Sequence, residues 1–363
     1  MMIITIIGYT ILTILLVCIA IICIVRYYLK KEDPQYILKY VEEHKKEKVC
    51  SLMVRRNGEL VVTVNENEKL PLASMAKIVI AVEFAKQVAE GKIDRAELIP
   101  LRDLEKYYVP NTDGGAHPKW IEDIKERSVI KNETVSIEEV AKGMIQFSSN
   151  ANTTYLLDKL GIERVNESIK ELHLSSHDDF YPYTASLYMR GYVEKELHVP
   201  TDQSLDMLRN MSSDEYKKHV FQIHEWMKDE KEWKNRNIPL KIDMGFQRIW
   251  SDRLVSATAT DYMNLIEKMN SRTVFPKAMQ AEIERIFKGT VLERNQYEHA
   301  GRKGGSTVFV FTNSFYGTDQ EGNKTEIVFM SNDLDPIEAR KIRNNLDVFI
   351  KSVVTNEAFR KKL

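Results

Sequence analysis

Pro71-Leu72-Ala73-Ser74-Met75-Ala76-Lys77 leads without a break into Ile78-Val79-Ile80-Ala81-Val82-Glu83-Phe84-Ala85, and the rest of the chain is read outward from this stretch. In the second half Glu83 is the only polar residue, which predicts a helix buried on most faces, with Gly91 as its stop. Residues three apart on a helix share a face, so Ser74 and Lys77 are within reach of one another. A lysine at the start of an apolar helix is costly to keep charged, so its pKa should fall. A neutral amine beside a hydroxyl is then a competent base for making that hydroxyl a nucleophile. The same S-x-x-K spacing recurs at Ser128-Val129-Ile130-Lys131, but among Glu126, Arg127, Asn132 and Glu133 it reads as a polar connector.

Two later segments carry compatible chemistry. Met144-Ile145-Gln146-Phe147-Ser148-Ser149-Asn150-Ala151 runs into Tyr155-Leu156-Leu157-Asp158-Lys159-Leu160-Gly161, an apolar lead, a polar turn and a helix that stops at glycine. A hydroxyl both donates and accepts, so Ser148 near a lysine suits proton shuttling; Ser148 and Asn150 also fit as caps of the helix that follows. Arg302-Lys303-Gly304-Gly305-Ser306 is expected to open a strand. Its glycines let a substrate backbone lie alongside the strand without a Cβ clash, and Lys303 offers a cation to a substrate carboxylate.

The order S-x-x-K, S-x-N, K-x-G resembles the penicillin-recognising serine hydrolases, which include class A β-lactamases and D-alanyl-D-alanine carboxypeptidases. The resemblance spans about residues 48–363 and takes in Ser256-Ala257-Thr258-Ala259-Thr260-Asp261-Tyr262 opening an apolar helix. It implies an α+β fold, an antiparallel sheet flanked by helices plus an all-helical lobe, with the site in the cleft between. It also implies roles: Ser74 the nucleophile, Lys77 the general base, Ser148 a proton relay, Asn150 a partner for a substrate amide carbonyl, and Lys303 with Gly304, Gly305 and Ser306 the substrate-binding strand. The N–H groups of Ser74 and Ser306 would form the oxyanion hole.

The chain departs from the family's pattern in three places. Ser149 stands where class A enzymes usually carry Asp, and Gly304 replaces a Thr or Ser whose hydroxyl would help bind a carboxylate. The E-x-x-L-N loop that activates the deacylating water has only Glu194-Lys195-Glu196-Leu197-His198 as a counterpart, so Tyr181-Pro182-Tyr183-Thr184-Ala185-Ser186-Leu187 is the other candidate for that wall of the cleft. The reading is a serine hydrolase working by an acyl-enzyme on an amide, D-alanyl-D-alanine carboxypeptidase-like, acting on a peptidoglycan stem peptide or a β-lactam. A class A-type β-lactamase and a catalytically silent cell-wall-binding protein are the alternatives.

Composition bounds the rest. A chain of 363 residues with 43% hydrophobic content can build one large domain or two intertwined lobes. A formal charge of −1 argues against a nucleic-acid partner. Its 3 cysteines make no disulfide framework, and no Cys/His spacing suggests a metal, so neither metal nor cofactor is expected.

Met1 to Val25 holds no charged side chain. As a helix it spans about 37 Å, more than the roughly 30 Å hydrocarbon core, so residues 1–28 read as one transmembrane anchor. Arg26-Tyr27-Tyr28-Leu29-Lys30-Lys31 follows in place of a cleavage site, and residues 29–47 read as a charged linker. The flanking positive charge favours a cytoplasmic domain, whereas the implied substrates lie outside. The expectation is a single-pass protein of the cell membrane with an extracytoplasmic domain over 48–363.

Asn57-Gly58 between β-branched runs predicts a hairpin. Ser306–Thr312 and Thr325–Met330 read as strands around a turn at 316–323, so sheet is expected near 48–66 and 300–332 and a helical lobe over about 95–250. Asn111–Pro118 reads as a loop beside the cleft and His117 as a surface or structural histidine.

Overall fold

The computed structural model describes residues 14–21, 31–291 and 294–363. The chain divides into two compact units, Lys45–Asp333 and a second made of Met1–His44 with Leu334–Leu363.

The larger unit is built on a five-stranded antiparallel sheet in the order β2 (Glu59–Val64), β1 (Cys50–Arg56), β9 (Lys324–Ser331), β8 (Phe311–Asp319), β7 (Tyr297–Ser306). Strands β1 (Cys50–Arg56) and β2 (Glu59–Val64) form the expected hairpin. Its turn residues Asn57 and Gly58 both take positive φ, 48° and 86°, the conformation a two-residue hairpin turn requires. Strand β1 also pairs with β9 (Lys324–Ser331) from Cys50↔Ser331 to Arg56↔Thr325, so distant stretches of sequence share one sheet.

The C-terminal strands differ from the sequence reading. There are three, not two: β7 (Tyr297–Ser306), β8 (Phe311–Asp319) and β9. The Ser306–Thr312 run is not a continuous strand, because the chain reverses within it. Thr307 N–H donates to the Val310 carbonyl at 2.9 Å, and Thr307 Oγ1 accepts from the N–H groups of Phe309 and Val310, each at 3.1 Å. The Lys303-Gly304-Gly305 motif therefore ends a strand instead of opening one.

Helix α1 (Lys77–Ala89) is buried along nearly its whole length and packs against the helix Lys277–Phe287. The ribbon of β3 (Leu70–Pro71) with β6 (Ser256–Ala257) anchors the residues ahead of it. Residues 101–252 are largely helical, including α2 (Ala116–Glu126), α3 (Asn150–Leu160), α4 (Ile162–Glu171), α5 (Met189–Lys195), α6 (Ser213–Lys228) and α7 (Met244–Asp252). The region is not purely helical: β4 (Leu98–Pro100) pairs with β5 (Thr134–Ser136). Helix α8 (Ala259–Ser271), capped by the Thr258 side chain, lies across β1, β8 and β9 and buries Tyr262, Met263, Leu265, Ile266 and Met269.

In the smaller unit, Tyr36–His44 is a helix within the stretch read as a linker, with Ile37, Tyr40 and Val41 buried. It packs on the helix Pro336–Thr355, where Asp33 N–H donates to Asn345 Oδ1 at 2.6 Å and His44 Nε2 meets Glu338 at 3.1 Å. The transmembrane anchor expected over 1–28 falls mostly outside the described residues. Among the described residues, 14–21 are helical, and no helix is long and apolar enough to cross a membrane.

Candidate active site

Ser74 sits in a single 3₁₀ turn, Ala73–Ala76, that winds directly into α1. Leu72 N–H donates to the Val255 carbonyl at 3.0 Å, fixing the entry, and buried Met75 and Ala76 fix the inner face. Ala73 has φ of 46°, a left-handed conformation that alanine avoids, so the turn holds local strain one residue before the serine. Ser74 itself is half-buried, and its Oγ makes no hydrogen bond among the described residues.

The lysine of the same motif points elsewhere. Lys77 is 1% exposed, and its Nζ donates to the Ser148 carbonyl at 2.6 Å and to Asn150 Oδ1 at 2.8 Å, with Ser148 Oγ at 3.4 Å. Lys303, 4% exposed, reaches the same hydroxyl from the other side: its Nζ lies 2.9 Å from Ser148 Oγ and 2.8 Å from the Gly304 carbonyl. Ser148 thus bridges two buried amines. It can do so because a one-turn π segment, Gly143–Phe147, runs into it and leaves it in the left-handed region at φ 73°.

Neither amine has an ion-pair partner among the described residues. Burial, then the charge of Lys303, holds Lys77 well below the usual lysine range, with Asp113 opposing. Burial and the neighbouring Arg302 bring Lys303 down to about 7.

The glycines of the third motif have separate reasons. A Cβ on Gly305 would lie 2.4 Å from the Ser74 amide nitrogen and 2.7 Å from the Leu72 carbonyl, so this glycine lets β7 touch the backbone of the Ser74 turn. The sequence reading assigned that room to a substrate. A Cβ on Gly304 would meet only Asn313 Nδ2 at 3.2 Å and the Thr312 carbonyl at 3.3 Å. Ser306, exposed at the end of β7, directly follows this contact.

Ser148, Asn150 and Lys303 are therefore gathered around Lys77, while Gly305 and Ser306 adjoin Ser74. The helix cap is Ser149, not Ser148 or Asn150: its buried side chain accepts from Asn152 N–H at 3.2 Å. His117, read from the sequence as a surface or structural histidine, is 1% exposed with Nδ1 2.9 Å from Ser149 Oγ, a contact the sequence did not point to. In its loop, Asp113 accepts from the N–H groups of Gly115, Ala116 and His117 and caps α2. The double glycine after an aspartate was the available signal for that cap.

Glu194 takes no part in this constellation. Its carboxylate is held by Arg190 at 3.2 Å, by Thr201 Oγ1 at 3.0 Å and by Lys241. The loop at 181–184 is stapled to α3 through Thr154 Oγ1 and Thr184 Oγ1 at 2.6 Å, and Tyr181 OH donates to the Arg253 carbonyl at 2.6 Å.

Comparison with known proteins bears on the family and the fold. A sequence model described as the beta-lactamase enzyme family matches residues 35–300. No curated protein matches the chain. A beta-lactamase from Chitinophaga pinensis superposes with a TM-score of 0.52 at 14% identity, over 87% of this chain and 99% of that one. The TLA-1 extended-spectrum beta-lactamase gives 0.52 at 14%, over 87% and 97%. A mutant of PBP-A, in an acyl-enzyme complex with penicillin G, gives 0.51 at 15%, over 91% and 100%. At such identities the structural likeness is one of fold, while the family match covers most of the sequence. The chain belongs to the beta-lactamase enzyme family, serine hydrolases that act through an acyl-enzyme.

Proposed function

We propose that the protein is a membrane-anchored serine hydrolase of the D-alanyl-D-alanine carboxypeptidase type, which takes an acyl group from a peptidoglycan stem peptide and is acylated by β-lactams. One observation carries the reading: a single hydroxyl, Ser148 Oγ, joins two buried amines, at 2.9 Å from Lys303 Nζ and 3.4 Å from Lys77 Nζ.

In this reading the Ser74 hydroxyl attacks the substrate carbonyl carbon and its proton passes to neutral Lys77. The N–H groups of Ser74 and Ser306 stabilise the oxyanion. The C–N bond then breaks as Ser148 hands a proton to the departing nitrogen and is resupplied by Lys77. Asn150 binds the substrate amide, and Lys303, taking a proton from solvent, meets the terminal carboxylate, whose negative charge favours the ammonium form. Water completes the cycle by releasing the acyl group from Ser74.

The carboxypeptidase reading is favoured over the β-lactamase one because Glu194 is committed to Arg190, Thr201 and Lys241. With Glu194 engaged in this way instead of activating water, a penicilloyl group persists. The uncharged run from Met1 to Val25 supports the anchor. The extracytoplasmic side is chosen because that is where such substrates occur.

Intact mass after incubation with a penicillin tests this, alongside release of D-alanine from a peptide ending in D-alanyl-D-alanine. A long-lived adduct on the wild type, absent from Ser74→Ala, together with D-alanine release, is expected. Penicillin turnover without an adduct favours the β-lactamase. An adduct that survives Ser74→Ala defeats the assignment of the nucleophile.

A further inference from the structure

We propose that His117 is a positioning residue for this reaction: an imidazolium, protonated on both nitrogens, that ties the Ser148-Ser149-Asn150 turn to Glu105 and thereby holds the Ser148 hydroxyl between Lys77 and Lys303. The link to catalysis rests on the function proposed above; the protonation follows from counting hydrogens.

Asn152 Nδ2 donates to the Val140 carbonyl at 3.1 Å, which fixes the amide and turns its Oδ1 toward Ser149 Oγ at 3.0 Å. Two oxygens at that distance need a proton between them, and only the hydroxyl has one to give. Ser149 Oγ also accepts from Asn152 N–H at 3.2 Å. His117 Nδ1, at 2.9 Å from the same oxygen, must therefore be the donor. The other ring nitrogen, Nε2, faces Glu105 Oε1 at 3.3 Å, and a carboxylate only accepts. Both nitrogens thus carry hydrogen.

The ring cannot turn away from these partners. It packs between Tyr108 and Trp120, with centroids 4.8 Å and 5.4 Å away, and its backbone N–H is held by Asp113 at 2.9 Å. The titratable groups around it are Glu105, Tyr108 and Asp113. What it holds is the residue between Ser148 and Asn150, the two partners of Lys77. Ser148 sits at φ 73°, a conformation that serine keeps only when its neighbours impose it.

The test uses the full chain with ¹⁵N-labelled histidine rings, His117→Asn to assign the signals, and Glu105→Gln as a variant at a half-exposed position. In the wild type at pH 7 both ring nitrogens of His117 are expected to show attached protons. In Glu105→Gln the amide can donate to Nε2, so the ring becomes neutral. The first-order acylation step with a penicillin then falls about tenfold, the worth of a hydrogen bond to a charged group, while penicillin affinity stays within about twofold. Ser149→Ala gives a loss of the same order. A neutral ring in the wild type overturns the proposal, as does wild-type acylation in both variants. A wild type that penicillin does not acylate counts against the hydrolase reading, while the ring nitrogens still decide the clamp.

Discussion

Helix α1 buries two charged side chains, Lys77 and Glu83, each 1% exposed, and treats them in opposite ways. Glu83 is fully partnered: Gln87 Nε2 donates to it at 2.7 Å, Arg164 Nε at 3.1 Å and Ser168 Oγ at 2.5 Å. It fastens α1 to α4. Lys77 has hydrogen-bond acceptors but, among the described residues, no carboxylate in ion-pair contact, and the other buried cation, Lys303, opposes its charge. Burying a charge without a counter-charge is expensive, and a protein tolerates it where the neutral form is the useful one. The difference between the two sites separates a structural charge from a chemical one on a single helix.

Lys77→Met breaks the comparison at its strongest point. Acylation by a penicillin should fall about 10³-fold, the range for losing a general base, while melting temperature holds or rises because an apolar chain suits the site. Retained acylation would remove Lys77 from the chemistry. Gly305→Ala pushes a methyl to 2.4 Å from the Ser74 nitrogen and should cost about 10²-fold in acylation through backbone displacement. Gly304→Ala meets the Asn313 amide at 3.2 Å and the Thr312 carbonyl at 3.3 Å, contacts that a shift of a few tenths of an ångström relieves, and acylation should stay within about threefold.

The pH profile sharpens the contrast next. As pH falls, Lys77 gains the proton that disables it as a base. As pH rises above about 7, Lys303 loses the charge that binds a carboxylate. The second-order acylation constant should be bell-shaped, dropping about tenfold per pH unit on each limb, and Lys303→Gln should abolish the upper limb. Glu83→Gln should be the mildest in activity, with acylation within about twofold, yet lower stability by about 2 kcal/mol on chemical denaturation. A large activity loss there would erase the distinction between the two charges.

Much of this was legible in the sequence, for identifiable reasons. The apolar run after Ser74 announced a buried lysine, and Asn57-Gly58 announced its hairpin, because both are local patterns. Strand β7 was legible only in part: sheet was expected from about 300, but Tyr-Glu-His-Ala-Gly-Arg-Lys-Gly-Gly-Ser has little strand propensity, and β8 pairs along it from Tyr297↔Asp319 to Ser306↔Phe311. Conversely, Thr307–Val310 has strand composition and is a turn, since the Thr307 hydroxyl collects the amides that a strand would give to a neighbour. The Glu83–Arg164 and His117–Ser149 contacts join residues far apart in sequence, and no spacing rule points to them.

The most direct test of the central claim is the charge on Lys77 itself, read by NMR of lysine side chains labelled at Nζ. In the wild type, one resonance should titrate well below the ordinary lysine range and vanish in Lys77→Met. A second should titrate near 7 and vanish in Lys303→Gln. If every lysine amine instead titrates near the ordinary value of about 10.4, Lys77 is no neutral base, and the contrast with Glu83 loses its chemical meaning.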